Sequence, residues 1–263
     1  METIDFPAVK VNNLSCGFEN SEVLHNININ FEKNKFYSIL GPNGSGKTTL
    51  LKNLAKTLDP AKKTILIENK DITEFNNKVL AKKLAVVPQN TILDFDFSAL
   101  DIVLMGRSPY ISRFGQESKE DYNIAENAMK ITNTWYLRDK CINQLSGGEQ
   151  QRIVIARALA QDTDIILLDE PISHLDIHHQ IELLDTIKTL SKNVTVITVL
   201  HDLNLAAQYS DYLILVNKGS IASQGTPEEV LTKDNVKKVY NINMCMIQNP
   251  ITGKPYIIPI GNA

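Results

Sequence analysis

Along the first forty positions apolar residues alternate loosely, Val9, Val11 and Leu14 being followed by Val23, Leu24, Ile27, Ile29 and Phe31. That spacing predicts short strands of an antiparallel sheet. Phe36-Tyr-Ser-Ile-Leu40 is a compact run that predicts a strand leading straight into a glycine-rich loop, Gly41-Pro-Asn-Gly-Ser-Gly-Lys-Thr48. Leu50, Leu54 and Leu58 then recur every four residues, which predicts a helix stopped by Asp59-Pro60. The loop therefore joins a strand to a helix, the setting in which such glycines hold phosphate.

Residues 64–88 predict further strands with a short helix, ending at Leu84-Ala-Val-Val-Pro-Gln89. From about Ser98 to Ile142 the pattern turns helical and polar, with Tyr122, Ala125, Ala128, Met129 and Ile131 marking one amphipathic helix of an inserted segment. Strand and helix signals alternate afterwards: strand Ile165–Leu168, helix Ile177–Leu190, strand Val194–Leu200, helix Leu203–Tyr209 and strand Leu213–Val216. Continuous apolar strands alternating with helices predict an α/β fold whose mainly parallel sheet is covered on both faces. No internal repeat and no low-complexity segment is read from the sequence.

Composition narrows the setting. The chain has 263 residues, enough for one large domain or one with an insertion. Its 27 basic and 30 acidic residues give a formal charge of −3 and no basic footprint for nucleic acid. Cys16, Cys141 and Cys245 are odd in number and lack metal-site or disulfide spacing, as expected of thiols in a reducing compartment. The acidic start lacks the features of a signal peptide, and no apolar run approaches the roughly 20 residues that span a bilayer. A cytoplasmic protein is expected, with any membrane role reached through a partner.

Three stretches carry candidate chemistry. In the loop Gly41-Pro42-Asn43-Gly44-Ser45-Gly46 the glycines let backbone N–H groups turn inward, and the helix that follows adds its positive end. Lys47 would reach the β- and γ-phosphates of a nucleotide, the Thr48 hydroxyl would bind Mg²⁺, and Thr49 is expected among the nucleotide-binding residues. The strand Ile165–Leu168 delivers Asp169 and Glu170 to its carboxyl end, where ligands of open α/β sheets bind. Asp169 would hold Mg²⁺ and Glu170 would polarise an attacking water, whereas the plain alternative is an acidic strand end facing solvent. Ser146-Gly147-Gly148 precedes a helix; read alone, it is either a γ-phosphate site or an ordinary serine cap with flexible glycines. His174, His178 and His179 place two imidazoles on one helical face, but no carboxylate–histidine set completes a metal site around them.

Leu145-Ser-Gly-Gly-Glu-Gln-Gln-Arg152, taken with the glycine loop and Asp169-Glu170, resembles the signature, Walker A and Walker B motifs of ATP-binding-cassette (ABC) ATPases. The resemblance covers essentially the whole chain and implies a P-loop NTPase (RecA-like) core with an N-terminal antiparallel β subdomain and an inserted helical subdomain. It implies one ATPase domain over 1–263, with core segments 1–95 and 150–240, a helical subdomain at 96–149 and a short C-terminal tail at 241–263. ATP and Mg²⁺ are the implied cofactors. A head-to-tail homodimer is implied, in which the signature of one copy completes the ATP site of the other. Gln89 then matches the glutamine loop that senses Mg²⁺ and the transport partner, Asp176 the D-loop at the dimer interface, and His201 the switch histidine that contacts the γ-phosphate. Phe18 falls where the family usually places an aromatic, most often Tyr, that stacks on adenine; Phe keeps the π-face, and a core residue is the plainer alternative.

Three further stretches resemble the ATPase subunits of importers for ferric siderophores, haem and cobalamin: Met105-Gly-Arg-Ser-Pro-Tyr110, His201-Asp-Leu-Asn-Leu-Ala-Ala-Gln208 and Gln224-Gly-Thr-Pro-Glu-Glu-Val-Leu231. That likeness implies a peripheral subunit at the cytoplasmic face of the membrane, bound to integral permease subunits and served indirectly by a substrate-binding lipoprotein, with no nucleic-acid partner. It also sets Gly106-Arg-Ser-Pro-Tyr110 near the surface that receives the permease. The alternatives are the ATPase of another ABC system (an exporter, another importer or a non-transport cassette) and a P-loop kinase or GTPase; the signature followed by a D-loop and switch histidine argues against the latter, and the guanine-reading Asn/Thr-Lys-x-Asp expected of a GTPase is absent from the sequence.

Overall fold

The computed structural model describes residues 6–18, 21–89, 96–113, 115–173 and 175–262. The chain divides into two compact units, one formed by residues 1–75 and 191–263, the other by residues 76–190.

The first unit contains both predicted sheet types. Val9–Phe18 pairs antiparallel with Ser21–Phe31 on one side and with Ile65–Ile67 on the other, the latter continuing to Lys70–Asp71. Val9, Val11, Leu14, Leu24, Ile27, Ile29 and Phe31 fill its inner face. Phe36–Leu40 runs parallel between Thr195–Val199 and Tyr212–Asn217, and Ser220–Gly225 pairs antiparallel with the last. All five positions of Phe36–Leu40 are buried, as a strand covered on both faces requires.

The helix after the glycine loop spans only Lys47–Leu54 and ends before Leu58, short of the expected stop. Lys56 adopts a left-handed conformation (φ 54°), its N–H donating to Asn53 O and that of Thr57 to Lys52 O, both at 3.0 Å. This closing turn usually uses glycine; with lysine there, the apolar period runs on past the true end.

Residues 241–263 form more than a plain extension. Asn241, left-handed at φ 55°, ends the helix Lys233–Tyr240, and Ile242–Gln248 then pairs antiparallel with Pro255–Asn262. The Asn204 side chain grips this hairpin: its amide nitrogen donates to Ile257 O at 3.1 Å and its oxygen accepts from Ile257 N at 2.7 Å.

In the second unit Leu84–Val87 runs parallel to Ile165–Asp169. The helices Ala99–Leu104, Lys119–Ile131 and Gly147–Ala160 enclose a core that includes Ile102, Val103, Ala125, Met129, Ile153 and Ala156. Ala125, Ala128 and Met129 are buried, but Tyr122 and Ile131 are 47% and 48% exposed. The buried stripe instead runs from Asp121 through Ala125 to Met129 and Thr132, and a buried carboxylate is invisible to an apolar count.

That carboxylate faces Arg107. Arg107 is 5% exposed, its Nε lying 2.8 Å from Asp121 Oδ1 and its Nη1 donating to Ala160 O at 2.8 Å. Tyr110 covers the guanidinium at 4.0 Å, and its hydroxyl donates to Asp162 O at 3.2 Å. A Cβ on Gly106 would strike Arg157 O, so this turn needs glycine to press against the helix Gly147–Ala160. The stretch expected to meet a permease therefore turns Arg107 inward as a structural staple and leaves Met105, Ser108 and Tyr110 exposed. No helix among the described residues is long and apolar enough to cross a membrane.

Candidate functional site

The glycine loop leaves the carboxyl end of Phe36–Leu40 as a tight cradle. Gly41 (φ 150°) has no room for a side chain, since a Cβ would run into Val216 O and the Ser45 hydroxyl. Gly46 (φ 104°) opens the helix with no side-chain cap, and a Cβ there would sit 2.7 Å from Leu24 Cδ2. Backbone bonds fix the far side: Gly219 N–H donates to Ser45 O at 2.9 Å, and His25 N–H to Gly219 O at 2.8 Å. Lys47 is buried, its ammonium donating to Gly41 O at 2.8 Å and Pro42 O at 2.9 Å. Asn43 and Gly44 are exposed, while Pro42, Thr48 and Thr49 are half-buried.

A triphosphate fits this cradle. Ser45 Oγ is buried with no hydrogen-bond partner among the described residues, the loop is rich in backbone donors, and Lys47 sets a buried positive charge beside it. Oxygen donors of the kind Mg²⁺ takes stand in each unit, the Thr48 hydroxyl in the first and the Asp169 carboxylate and Gln89 amide in the second.

Within the same unit, parallel pairing of Phe36–Leu40 with Thr195–Val199 sends both strands out at one edge. His201 follows the second strand there, exposed. Asp202 next to it caps the helix Leu203–Tyr209, accepting from Asn204 N at 2.8 Å and Leu205 N at 2.9 Å.

In the second unit Asp169 is the last residue of its strand and is 6% exposed. Glu170 follows in a left-handed conformation (φ 51°), a strain on the order of 1–3 kcal/mol for a residue with a side chain. Ser173 holds it there, its N–H (3.2 Å) and hydroxyl (2.8 Å) both donating to Glu170 O. Val87 and Leu168 are register partners, so Gln89 and Glu170 lie two residues past a matched pair. Gln89 Nε2 donates to Glu170 Oε2 at 2.6 Å.

Ser146 caps the helix Gly147–Ala160 in a reciprocal arrangement with Glu149, whose carboxylate accepts from Ser146 N and Oγ at 2.8 Å. The Ser146 N–H, then its hydroxyl, hold the Glu149 carboxyl below its ordinary pKa. Beside the serine and glycines expected to meet phosphate, Glu149 is a further residue that shapes this turn, and Ser-x-x-Glu is its legible capping signal. Ser146 and Gly147 remain exposed and Gly148 half-buried.

Asp176 is exposed and caps the helix Ile177–Leu190, accepting from His179 N at 3.0 Å. His179 Nδ1 lies 3.0 and 2.9 Å from its two carboxylate oxygens. The backbone N–H of His179, then its ring, lower the Asp176 pKa. The His178 and His179 rings meet edge to face at 5.3 Å; His174 lies outside the described residues. Phe18 ends its strand opposite Ser21, and its side chain is likewise outside them.

A family model described as ABC transporter matches residues 24–173, more than half of the chain. The chain belongs to the ABC transporter family. It is an ATPase whose hydrolysis is coupled to transport. This ABC cassette is 39% identical over 256 residues to a probable siderophore transport system ATP-binding protein of Bacillus subtilis, covering 97% of this chain and 93% of that one. It is 36% identical over 250 residues to the ferric enterobactin transport ATP-binding protein of Escherichia coli (94% and 92%). Against the hemin import ATP-binding protein of Hahella chejuensis it is 38% identical over 244 residues (90% and 93%). Among solved structures, a putative metal-chelate type ABC transporter in an inward-facing conformation matches with a TM-score of 0.84 and 30% identity, covering 96% of this cassette and 97% of that chain. A dimeric bacterial ABC transporter cassette matches with a TM-score of 0.72 and 28% identity (83% and 98%).

Proposed function

We propose that this cassette energises uptake of an iron-siderophore, haem or cobalamin-type substrate, bound at the cytoplasmic face of the membrane to permease subunits that a binding lipoprotein supplies. The observation that carries this reading is similarity over more than 90% of both chains to ATP-binding proteins named for siderophore and enterobactin transport.

In this reading one cassette spans 1–263, with 96–149 as its helical subdomain and 241–263 as its C-terminal tail. Two copies close head to tail over ATP. Gly41–Thr49 and Lys47 hold the β- and γ-phosphates, and Phe18 stacks on adenine. Thr48, Asp169 and Gln89 would hold Mg²⁺, which when bound neutralises charge on the phosphate oxygens. Glu170 orients and polarises the attacking water, and His201 contacts the γ-phosphate. Ser146, Gly147, Gly148 and Asp176 come from the second copy. Each donor aimed at the developing charge is worth about 10²–10³ in rate, so an isolated copy is nearly inactive. Closure on ATP and release after hydrolysis make the stroke delivered to the permease.

The test is uptake of ⁵⁵Fe-siderophore by cells lacking this cassette. The wild-type gene should restore uptake and Glu170→Gln should not. Uptake that is normal without the cassette, or restored equally by both genes, contradicts the reading.

A further inference from the structure

Two stretches of the second unit repeat one pattern thirty positions apart: Ile142-Asn-Gln-Leu145-Ser146-Gly-Gly-Glu149-Gln150 and Ile172-Ser-His-Leu175-Asp176-Ile-His-His179-Gln180. Each has Ile, then Leu, a helix cap, a residue that turns back on the cap, and Gln. Their hydrogen bonds repeat as well. Leu145 N–H donates to Ile142 O at 3.1 Å, and Leu175 N–H to Ile172 O at 3.3 Å. Ser146 and Asp176 cap the two helices, with Glu149 and His179 folded back onto them. Gln150 N–H donates to Ser146 O, and Gln180 N–H to Asp176 O, both at 2.9 Å.

The glutamine side chains complete the match. Gln150 Nε2 donates to Ile142 O at 3.2 Å and Leu145 O at 3.1 Å. Gln180 Nε2 donates to Ile172 O at 3.3 Å and Leu175 O at 3.0 Å. One amide group thus bridges two carbonyls of the turn that enters the helix and ties that turn to the helix's first residues. The two turns also meet: a Cβ on Gly148 would lie 3.4 Å from Leu175 Cδ2.

We infer that Gln150 and Gln180 are twin positioning residues, clasps that hold the signature turn and the D-loop in the shape each presents to a second copy of the chain. The inference rests on the dimer reading above. A loop that must accept an incoming surface loses affinity when it has to be ordered at the moment of contact. Both clasps remove that disorder beforehand, and neither glutamine has to touch nucleotide to do so.

The test replaces each glutamine by methionine, similar in shape but without donors, in a Glu170→Gln background. Sedimentation with ATP reads dimer affinity, and amide hydrogen exchange of the nucleotide-free chain reads the turns. Each substitution should raise the dimer Kd about tenfold, as expected for lost neutral hydrogen bonds, with ATP binding by the single copy unchanged. Exchange should quicken at Leu145 for Gln150→Met and at Leu175 for Gln180→Met. An unchanged dimer Kd, in a parent that does dimerise, overturns the inference. A parent that fails to dimerise overturns the dimer reading instead; the exchange data then still decide the clasps, and unaltered exchange at both leucines refutes them.

Discussion

Gln89 reaches Glu170 across two paired strands, its amide donating to the carboxylate at 2.6 Å. Register puts the two residues level past Val87 and Leu168, and the left-handed backbone of Glu170, held by Ser173, sets the direction in which its side chain leaves the strand. In the proposed role of general base, Glu170 needs such a fixed aim before its charge is of use.

Glu170→Gln should therefore keep ATP binding and lower turnover by about 10²–10⁴-fold, the usual contribution of a general base. Single-turnover kinetics beside an ATP titration separates the two effects. Near-normal turnover would remove Glu170 from the role.

Ser146→Arg should leave the ATP affinity of the single copy unchanged while abolishing ATP-dependent dimers. It also removes a helix cap, so stability should drop by about 1 kcal/mol. Collapse of the single copy's own ATP affinity would mean that the signature acts on the loop of its own chain.

Breaking the Arg107–Asp121 pair with Arg107→Met should destabilise the cassette by about 3–5 kcal/mol, because a buried carboxylate is left without its cation. The Ser118 hydroxyl, then the Arg107 guanidinium, hold the Asp121 carboxyl at about 2, against an ordinary 3.8. A depressed folded-state value gives stability that is full above the ordinary value and is lost as pH falls towards the depressed one. Denaturant unfolding of the wild type should thus weaken between about pH 4 and pH 2, and Arg107→Met should flatten that slope. An unchanged slope would show that Ser118 alone holds the carboxylate.

What the sequence disclosed and what it hid follow physical lines. Phe36–Leu40, Ile177–Leu190 and Leu203–Tyr209 were legible because burial of a whole strand or one helical face imposes an apolar period. The end of the loop helix was not, because Lys56 takes the left-handed turn that glycine normally announces. Arg107 passed for a surface residue because its partner Asp121 lies on a face that apolar counting leaves out. Gln150 and Gln180 escaped for a different reason. Their pattern repeats in hydrogen-bond geometry, while only Ile, Leu and Gln recur as letters.

The central claim is that ATP is hydrolysed between two copies of the chain. Specific ATPase activity of the purified cassette, followed at saturating ATP over a wide range of protein concentration, tests it most directly. The account predicts activity per copy that climbs with concentration and levels off once sedimentation shows the dimer dominant. Constant activity per copy down to dilutions where only the single copy sediments would contradict it.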